Sequence, residues 1–345
     1  MKLIYDYTFE DLSNYFASQN EQAYRATQLF EWLYKKQITS FFEINNIKKN
    51  LLEQINNDFF LTRLEIVSKQ QSSDGTVKFL FKLSDGALIE SVLMRQSYGN
   101  SVCVTTQVGC NMGCAFCASG LTKKVRNLSC GEIVLQVLEV SRHLQERNER
   151  LSHIVVMGIG EPFDNYDNLI KFLKIVNHPK GLDIGARHIT VSTCGIVSKI
   201  IEFSDFPLQV NLAISLHFPN DDLRSKYMKI NRAYPLASVI DAVKYYVSKT
   251  NRKVTFEYIM LKDVNDQLEH ADELAKLVKG INSVINLIPY NETGLGLYRS
   301  NEEQVKKFYD RLKKHHLNVT IRKELGHDID AACGQLRIKR MKECR

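Results

Sequence analysis

A chain of 345 residues, 44% hydrophobic and 25% charged, has the length and composition for one large α/β domain with a smaller accessory unit. Its apolar runs, such as IVVMGIG, fall far short of the ~20 residues that span a bilayer, and MKLIYDYTFED turns acidic before it can form the apolar core of a signal peptide, so a cytoplasmic protein is expected. The formal net charge of +7, with five basic side chains in the last nine residues and a KKVR cluster at 123–126, favours a polyanionic partner without identifying it.

Residues 8–60 carry Leu12, Tyr15 and Phe16, then Leu29, Trp32 and Leu33, at three-to-four-residue spacing, which predicts a small helical bundle with a buried face. Over 63–95 the period changes. The run VKFLFKLSDGALIESVLM sets two β-rich segments around Asp85-Gly86, a hairpin signal, and predicts a short antiparallel ribbon between two domains.

From about residue 101, short β-branched runs alternate with amphipathic stretches of helical length. Strands are predicted at 102–106, 153–158, 188–192, 209–216, 253–261 and 283–288, with helices such as 131–145, 236–249 and 301–315 between them. Alternation of this kind implies a parallel sheet, and six units suit a partial barrel; a flat doubly wound sheet has the same periodicity. In either architecture active sites gather at strand ends. GIGEP, STCG, SLH and PYN all fall there, which favours an enzyme.

Eight cysteines lie at 103, 110, 114, 117, 130, 194, 333 and 344. In a cytoplasmic protein such clustering points to metal or redox chemistry rather than disulfides. Cys110, Cys114 and Cys117 stand together as CNMGCAFC directly after the first predicted strand. Three thiolates on one loop suit zinc or an iron–sulfur cluster. Structural zinc takes four ligands, often in two close pairs, and the chain has no second pair. Three protein ligands on a four-iron cluster leave one iron open to a substrate. Gly158-Ile159-Gly160-Glu161-Pro162 adds glycines that let backbone approach a ligand and a carboxylate able to accept from an ammonium group. Read alone, Cys103 and Cys333 suggest packing and Glu90 a solvated strand residue.

The spacing C-x3-C-x2-C, with Phe116 before the last cysteine, resembles the signature of the radical-SAM superfamily. The blocks CNMGCAFCASG, GIGEPFDNYDN, ISLHFPND, EYIMLKDVND, NLIPYN and DIDAACGQL, in this order, narrow the resemblance to the RlmN/Cfr family of RNA adenine methyltransferases. It extends from about residue 88 to 336, with looser similarity in the helical N-terminus. The resemblance implies an α/β fold, a partial (β/α)6 barrel of TIM type with a small helical N-terminal accessory domain. On that basis we divide the chain into an RNA-binding helical unit at 1–62, a ribbon at 63–100, a radical-SAM core at 101–336 and a basic tail at 337–345.

The same resemblance implies a [4Fe-4S] cluster on Cys110, Cys114 and Cys117, and two S-adenosylmethionine molecules per turnover. Gly160, Glu161, Ser192, Ser215, Leu216, His217 and Asn291 become cofactor-binding positions. Cys333 matches the cysteine that is methylated and carries the methyl group, Cys103 the one that resolves a protein–RNA crosslink by forming a disulfide with it, and Glu90 a proton acceptor. The implied partners are 23S rRNA, tRNA and a flavodoxin-like one-electron donor, with the protein acting as a monomer. RlmN-type members methylate carbon 2 of adenine and Cfr-type members carbon 8; GEP followed by NYDN resembles the former. The rival readings are a Cfr-type enzyme, a radical-SAM maturase acting on other substrates, and a non-enzymatic iron–sulfur or zinc RNA-binding module.

Overall fold

The computed structural model describes residues 1–329, apart from the Leu121 side chain, and Leu336. A two-residue strand β1 (Lys2–Leu3) precedes helices α1 (Phe9–Ser18), α2 (Tyr24–Glu31) and α3 (Lys49–Asp58), and β2 (Phe59–Phe60) returns to pair with β1 in parallel. The entry to α1 is fixed by a capping box: the Asp11 amide donates to Thr8 Oγ1 at 3.1 Å and the Thr8 amide to Asp11 at 3.0 Å. Leu12, Phe16, Leu29 and Leu33 are fully buried, as the periodicity predicts. Tyr15 and Trp32 sit at the rim, where the tyrosine hydroxyl donates to Asp58 at 2.7 Å and the indole to Asn46 at 2.9 Å.

The next strands are β3 (Glu65–Gln71), β4 (Val77–Lys82), β5 (Leu88–Gln96) and β6 (Gly99–Cys103), joined antiparallel in series. The ribbon therefore has one more strand than the predicted pair, and through β6 it belongs to the main sheet. The added strand, EIVSKQQ, is an edge strand with mostly polar, partly exposed residues, so it lacks the apolar alternation that reveals a strand in sequence.

After β6 come a small pair, β7 (Gln107–Val108) and β8 (Arg126–Asn127), and α4 (Cys130–Gln145). Then follow β9 (Leu151–Val156), α5 (Tyr166–Asn177), β10 (Ile189–Thr193), α6 (Val197–Phe203), β11 (Asn211–Ser215), α7 (Asp221–Tyr227) and α8 (Leu236–Thr250). The chain continues through β12 (Val254–Met260), α9 (Leu268–Leu277), β13 (Ser283–Pro289), α10 (Glu302–Lys314) and β14 (Val319–Ile321). Strands β6, β9, β10, β11, β12, β13 and β14 lie side by side in chain order and pair in parallel. A doubly wound sheet reverses its strand order at a switch point; this one does not, which leaves the partial barrel. Its terminal strand β14, three residues long, is too short to carry a periodic signal.

Helix α4 is buried almost throughout because the N-terminal segment covers the side turned away from the sheet. The Gly131 amide donates to Asp6 at 2.6 Å, and a Cβ at Gly131 would lie 2.6 Å from the Leu3 side chain. One apolar core runs without interruption from Ile4 through the barrel to Val319.

Candidate active site

The parallel strands all end at one rim, and the cysteine loop crosses it. The loop leaves β7 at Gly109, whose φ of +81° is left-handed and where a Cβ would meet the Lys123 carbonyl at 2.2 Å. It is closed by the Cys110 amide donating to Thr122 O at 3.1 Å, and it is pinned to the end of α7 by the Ala115 amide donating to Tyr227 O at 2.9 Å. Burial pushes the Cys110 thiol up to about 11 and raises Cys114 further, and in each case a charge on a neighbouring loop cysteine raises it again. Among the described residues no three His, Cys, Asp or Glu side chains stand close enough together to hold a metal ion; what fits an iron–sulfur cluster is the donor chemistry, three soft thiols on a glycine-shaped loop at the open end of a barrel, whose protons loading must release.

Beyond β9 the chain turns through Gly158 and Gly160. A Cβ at Gly158 would sit 2.5 Å from Val104 O, and Gly160 has φ +105°. Glu161, buried, takes the Phe163 amide on one carboxylate oxygen at 3.0 Å and the Cys194 amide on the other at 2.8 Å. Burial raises its pKa against those hydrogen bonds. It thereby ties the β9 and β10 loops together, and the Thr193 and Cys194 side chains add hydrogen bonds to the two amides. On β10 and β11, Ser192 Oγ and Ser215 Oγ lie 3.1 Å apart. His217 follows with a left-handed φ of +62°, strained for a non-glycine residue. Its Nδ1 accepts from the Ile259 amide at 3.3 Å, and burial lowers its pKa to about 3, so the ring is neutral, with Nε2 left to carry the proton.

A cavity of about 510 Å³ opens beside the loop. Glu90, Cys103, Cys117 and Asn291 line it, together with Glu257 and Arg322. Glu90 is 3% exposed and 2.9 Å from the ammonium of Lys78, which is completely buried. Cys103 is half-buried; burial raises its thiol pKa, while the charges of Arg322 and Lys78 lower it. Glu257 accepts from Asn286 Nδ2 at 2.8 Å, and burial raises its pKa. The other cofactor-binding candidates and Cys110 and Cys114 are not in this lining. Cys333 and the tail at 337–345 lie outside the described residues.

Two sequence readings change. Glu90 is not a solvated strand residue but half of a buried ion pair. The KKVR cluster is not a set of free cations: Lys124 pairs with Asp164 at 2.7 Å, and Arg126 with Asp85 and Glu132 at 2.7 Å each, leaving Lys123 exposed. Lys78 and Glu257 went unread, although a charge inside an apolar strand run, VKFLFK or VTFEYIM, is a visible signal. Gln136, buried on α4, also went unread. It accepts from the Thr105 amide at 2.8 Å and donates to Thr105 O at 2.9 Å, and a polar residue on an amphipathic helix gives no warning of this.

Fold and loop together define a radical-SAM enzyme, and residues 104–277 match the Radical SAM superfamily. Residues 3–61 match the ribosomal RNA large subunit methyltransferase N-terminal domain. Over 341 residues the chain is 58% identical to a probable dual-specificity RNA methyltransferase RlmN of Geobacillus kaustophilus, covering 99% of this chain and 93% of that one. A Spiroplasma citri protein of the same description is 56% identical, covering 98% of each. A crystal structure of a radical SAM methyltransferase from Sphaerobacter thermophilus superposes with a TM-score of 0.92 at 41% identity, over 97% of this chain and 99% of that one. The chain belongs to the RlmN family of radical-SAM RNA methyltransferases. Among the described residues no helix is long and apolar enough to cross a membrane.

Proposed function

We propose that this enzyme methylates carbon 2 of an adenine in the peptidyl-transferase region of 23S rRNA and of the adenine beside the anticodon in tRNAs. The observation that carries the reading is the cavity lined by Cys103, by Glu90, whose carboxylate pairs with Lys78 behind it, and by Cys117 of the cysteine loop. The dual specificity of its RlmN relatives and the GEP…NYDN stretch favour carbon 2 over carbon 8.

Cys110, Cys114 and Cys117 would hold a [4Fe-4S] cluster, which when bound supplies the electron that cleaves S-adenosylmethionine to a carbon-centred radical. Gly160 and Glu161 would receive the methionine end of that cofactor. Ser192, Ser215, Leu216, His217 and Asn291 would receive its ribose and adenine. In this reading the Cys333 thiol takes a methyl group from a first S-adenosylmethionine and gives up a methyl hydrogen to the radical from a second. An electron-poor ring carbon accepts the resulting carbon centre, and the base is joined to the protein. Glu90, oriented by the Lys78 ammonium, accepts the proton that leaves the ring carbon, and the unpaired electron of the adduct would return to the oxidised cluster that supplied the electron for cofactor cleavage. The Cys103 thiol, once deprotonated, attacks the Cys333 sulfur; the S–CH2 bond breaks with its electron pair on the released carbon, which takes up a proton to become the methyl group, and a disulfide is left. A base drawn out of its stack suits a loop or open RNA site.

The division at 62, 100 and 336 belongs to the same proposal, with the helical unit and the basic tail engaging phosphates. So do a cytoplasmic location, a monomeric state and a flavodoxin-like electron donor. The test is anaerobic incubation with S-adenosylmethionine, reductant and unmodified 23S rRNA or tRNA, followed by nucleoside mass spectrometry. 2-Methyladenosine from both RNAs is expected. 8-Methyladenosine, or cofactor cleavage with no methylated base, would overturn the assignment.

A further inference from the structure

Arg224, on α7, has no exposed surface. Its Nε donates to Leu216 O at 3.3 Å, Nη1 to Asn231 Oδ1 at 2.6 Å and Tyr234 O at 3.3 Å, and Nη2 to Cys194 O at 2.6 Å. All four acceptors are neutral. Among the described residues no carboxylate ion-pairs with it: Asp221, one turn earlier, faces Asn231 Nδ2 at 2.7 Å and the Leu236 amide at 2.9 Å. A buried cation without a counter-charge is costly. The contrast within this chain is Lys78, equally buried, which has Glu90 at 2.9 Å.

Asp221 offsets the cation only from a distance, and a further negative charge has a natural place close by. Arg224 stands behind the apolar cluster of Phe116, Cys194, Phe218 and Met228, against which Cys114 and Cys117 pack, and a turn before Tyr227, whose carbonyl pins the cysteine loop. Burial depresses the Arg224 pKa, and negative charge on Cys194, on Cys114 and on Asp221 acts against that depression. A three-thiolate iron–sulfur centre is anionic and becomes more so when it takes up an electron.

We infer that Arg224 is a positioning residue that serves as the buried counter-charge of the iron–sulfur centre and raises its reduction potential. Its four hydrogen bonds hold the cation at the ends of the β10 and β11 loops, where it cannot swing to solvent. The reduced centre, carrying the extra negative charge, gains more from this cation than the oxidised one. The inference rests on the cluster assignment and fails separately from it.

The experiment is an EPR-monitored redox titration of anaerobically reconstituted full-length protein, without RNA, after iron and sulfide analysis. A wild-type protein that takes up no iron would contradict the cluster assignment itself. With the cluster present, Arg224→Gln should move the midpoint to more negative potential, by about tenfold in the one-electron equilibrium, or 59 mV. Arg224→Lys keeps the charge but loses the fork of donors, and should stay near wild type even where its melting temperature falls. Asn231→Asp leaves Arg224 in place and neutralises it, so it should shift the midpoint in the same direction as Arg224→Gln; it decides the matter if the glutamine variant does not fold. An unchanged potential in an iron-replete Arg224→Gln or Asn231→Asp protein would overturn the inference. So would a shift in Arg224→Lys as large as that in Arg224→Gln.

Discussion

Beneath the N-terminal helices the completely buried side chains include Leu12, Phe16, Leu29, Phe30, Leu33 and Ile55, all apolar, while the buried polar ones, Thr8, Arg25 and Gln37, keep some exposed surface. Around the barrel mouth the buried set includes Lys78, Glu90, Glu161, His217, Arg224 and Glu257. The first region holds together by removing hydrocarbon from water. The second is held by hydrogen bonds and ion pairs that compensate charges whose burial is unfavourable. Removing one partner there leaves the other buried and uncompensated. In the helical core, removing atoms costs only the lost packing.

The comparison can be tested from its extreme outward. Cys114→Ala should abolish cluster assembly and with it all methylation, while the apo protein melts close to wild type. Full iron content in that variant would contradict the ligand assignment. Lys78→Met leaves a buried carboxylate without its ammonium and should cost about 3–5 kcal/mol in urea denaturation. The double variant Lys78→Met/Glu90→Leu should recover most of that loss, and a double variant no more stable than the single one would break the contrast drawn above. In the helical core, Ile55→Val should cost about 1 kcal/mol and leave methylation per folded molecule unchanged; a fall in kcat would mean that this region does more than pack.

The smallest effect is expected where residues 326–328 dock on the β3–β4 turn. The Gly326 amide donates to Asp74 at 2.8 Å, and the Ser72 hydroxyl and Ser73 amide donate to Asp328. The Ser72 and Ser73 hydrogen bonds hold the Asp328 carboxyl at about 2, below the ordinary aspartate value of 3.8. Its contribution is therefore complete above pH 4 and is lost as pH falls towards 2. Asp328→Asn should be slightly less stable than wild type at pH 6, and the gap should close in acid. A gap that widens as pH falls would have the wrong sign.

The sequence made one of these regions easier to read than the other. Leu12, Phe16, Leu29 and Leu33 repeat with the helical period, and the six interior strands alternate with helices, so the bundle and the parallel sheet were both legible. β3 and β14 were not, because a polar edge strand and a three-residue strand have no period. The cysteine triad was legible from spacing. Glu90 and Cys103 were singled out only through the family resemblance, since a strand residue's partner is set by register: β4 places Lys78 opposite Val92, diagonal to Glu90, within ion-pair reach. Arg224 gave no signal in DDLRSKY, which reads as an ordinary amphipathic helix. Its burial depends on three loops that are distant in sequence.

The most direct test of the central claim is the Cys103→Ala variant, reconstituted anaerobically and incubated with S-adenosylmethionine, reductant and RNA, then analysed by denaturing electrophoresis and mass spectrometry. The account predicts a covalent protein–RNA adduct that survives denaturation and retains the added carbon, with no free methylated RNA. Free methylated RNA at the wild-type yield would contradict it.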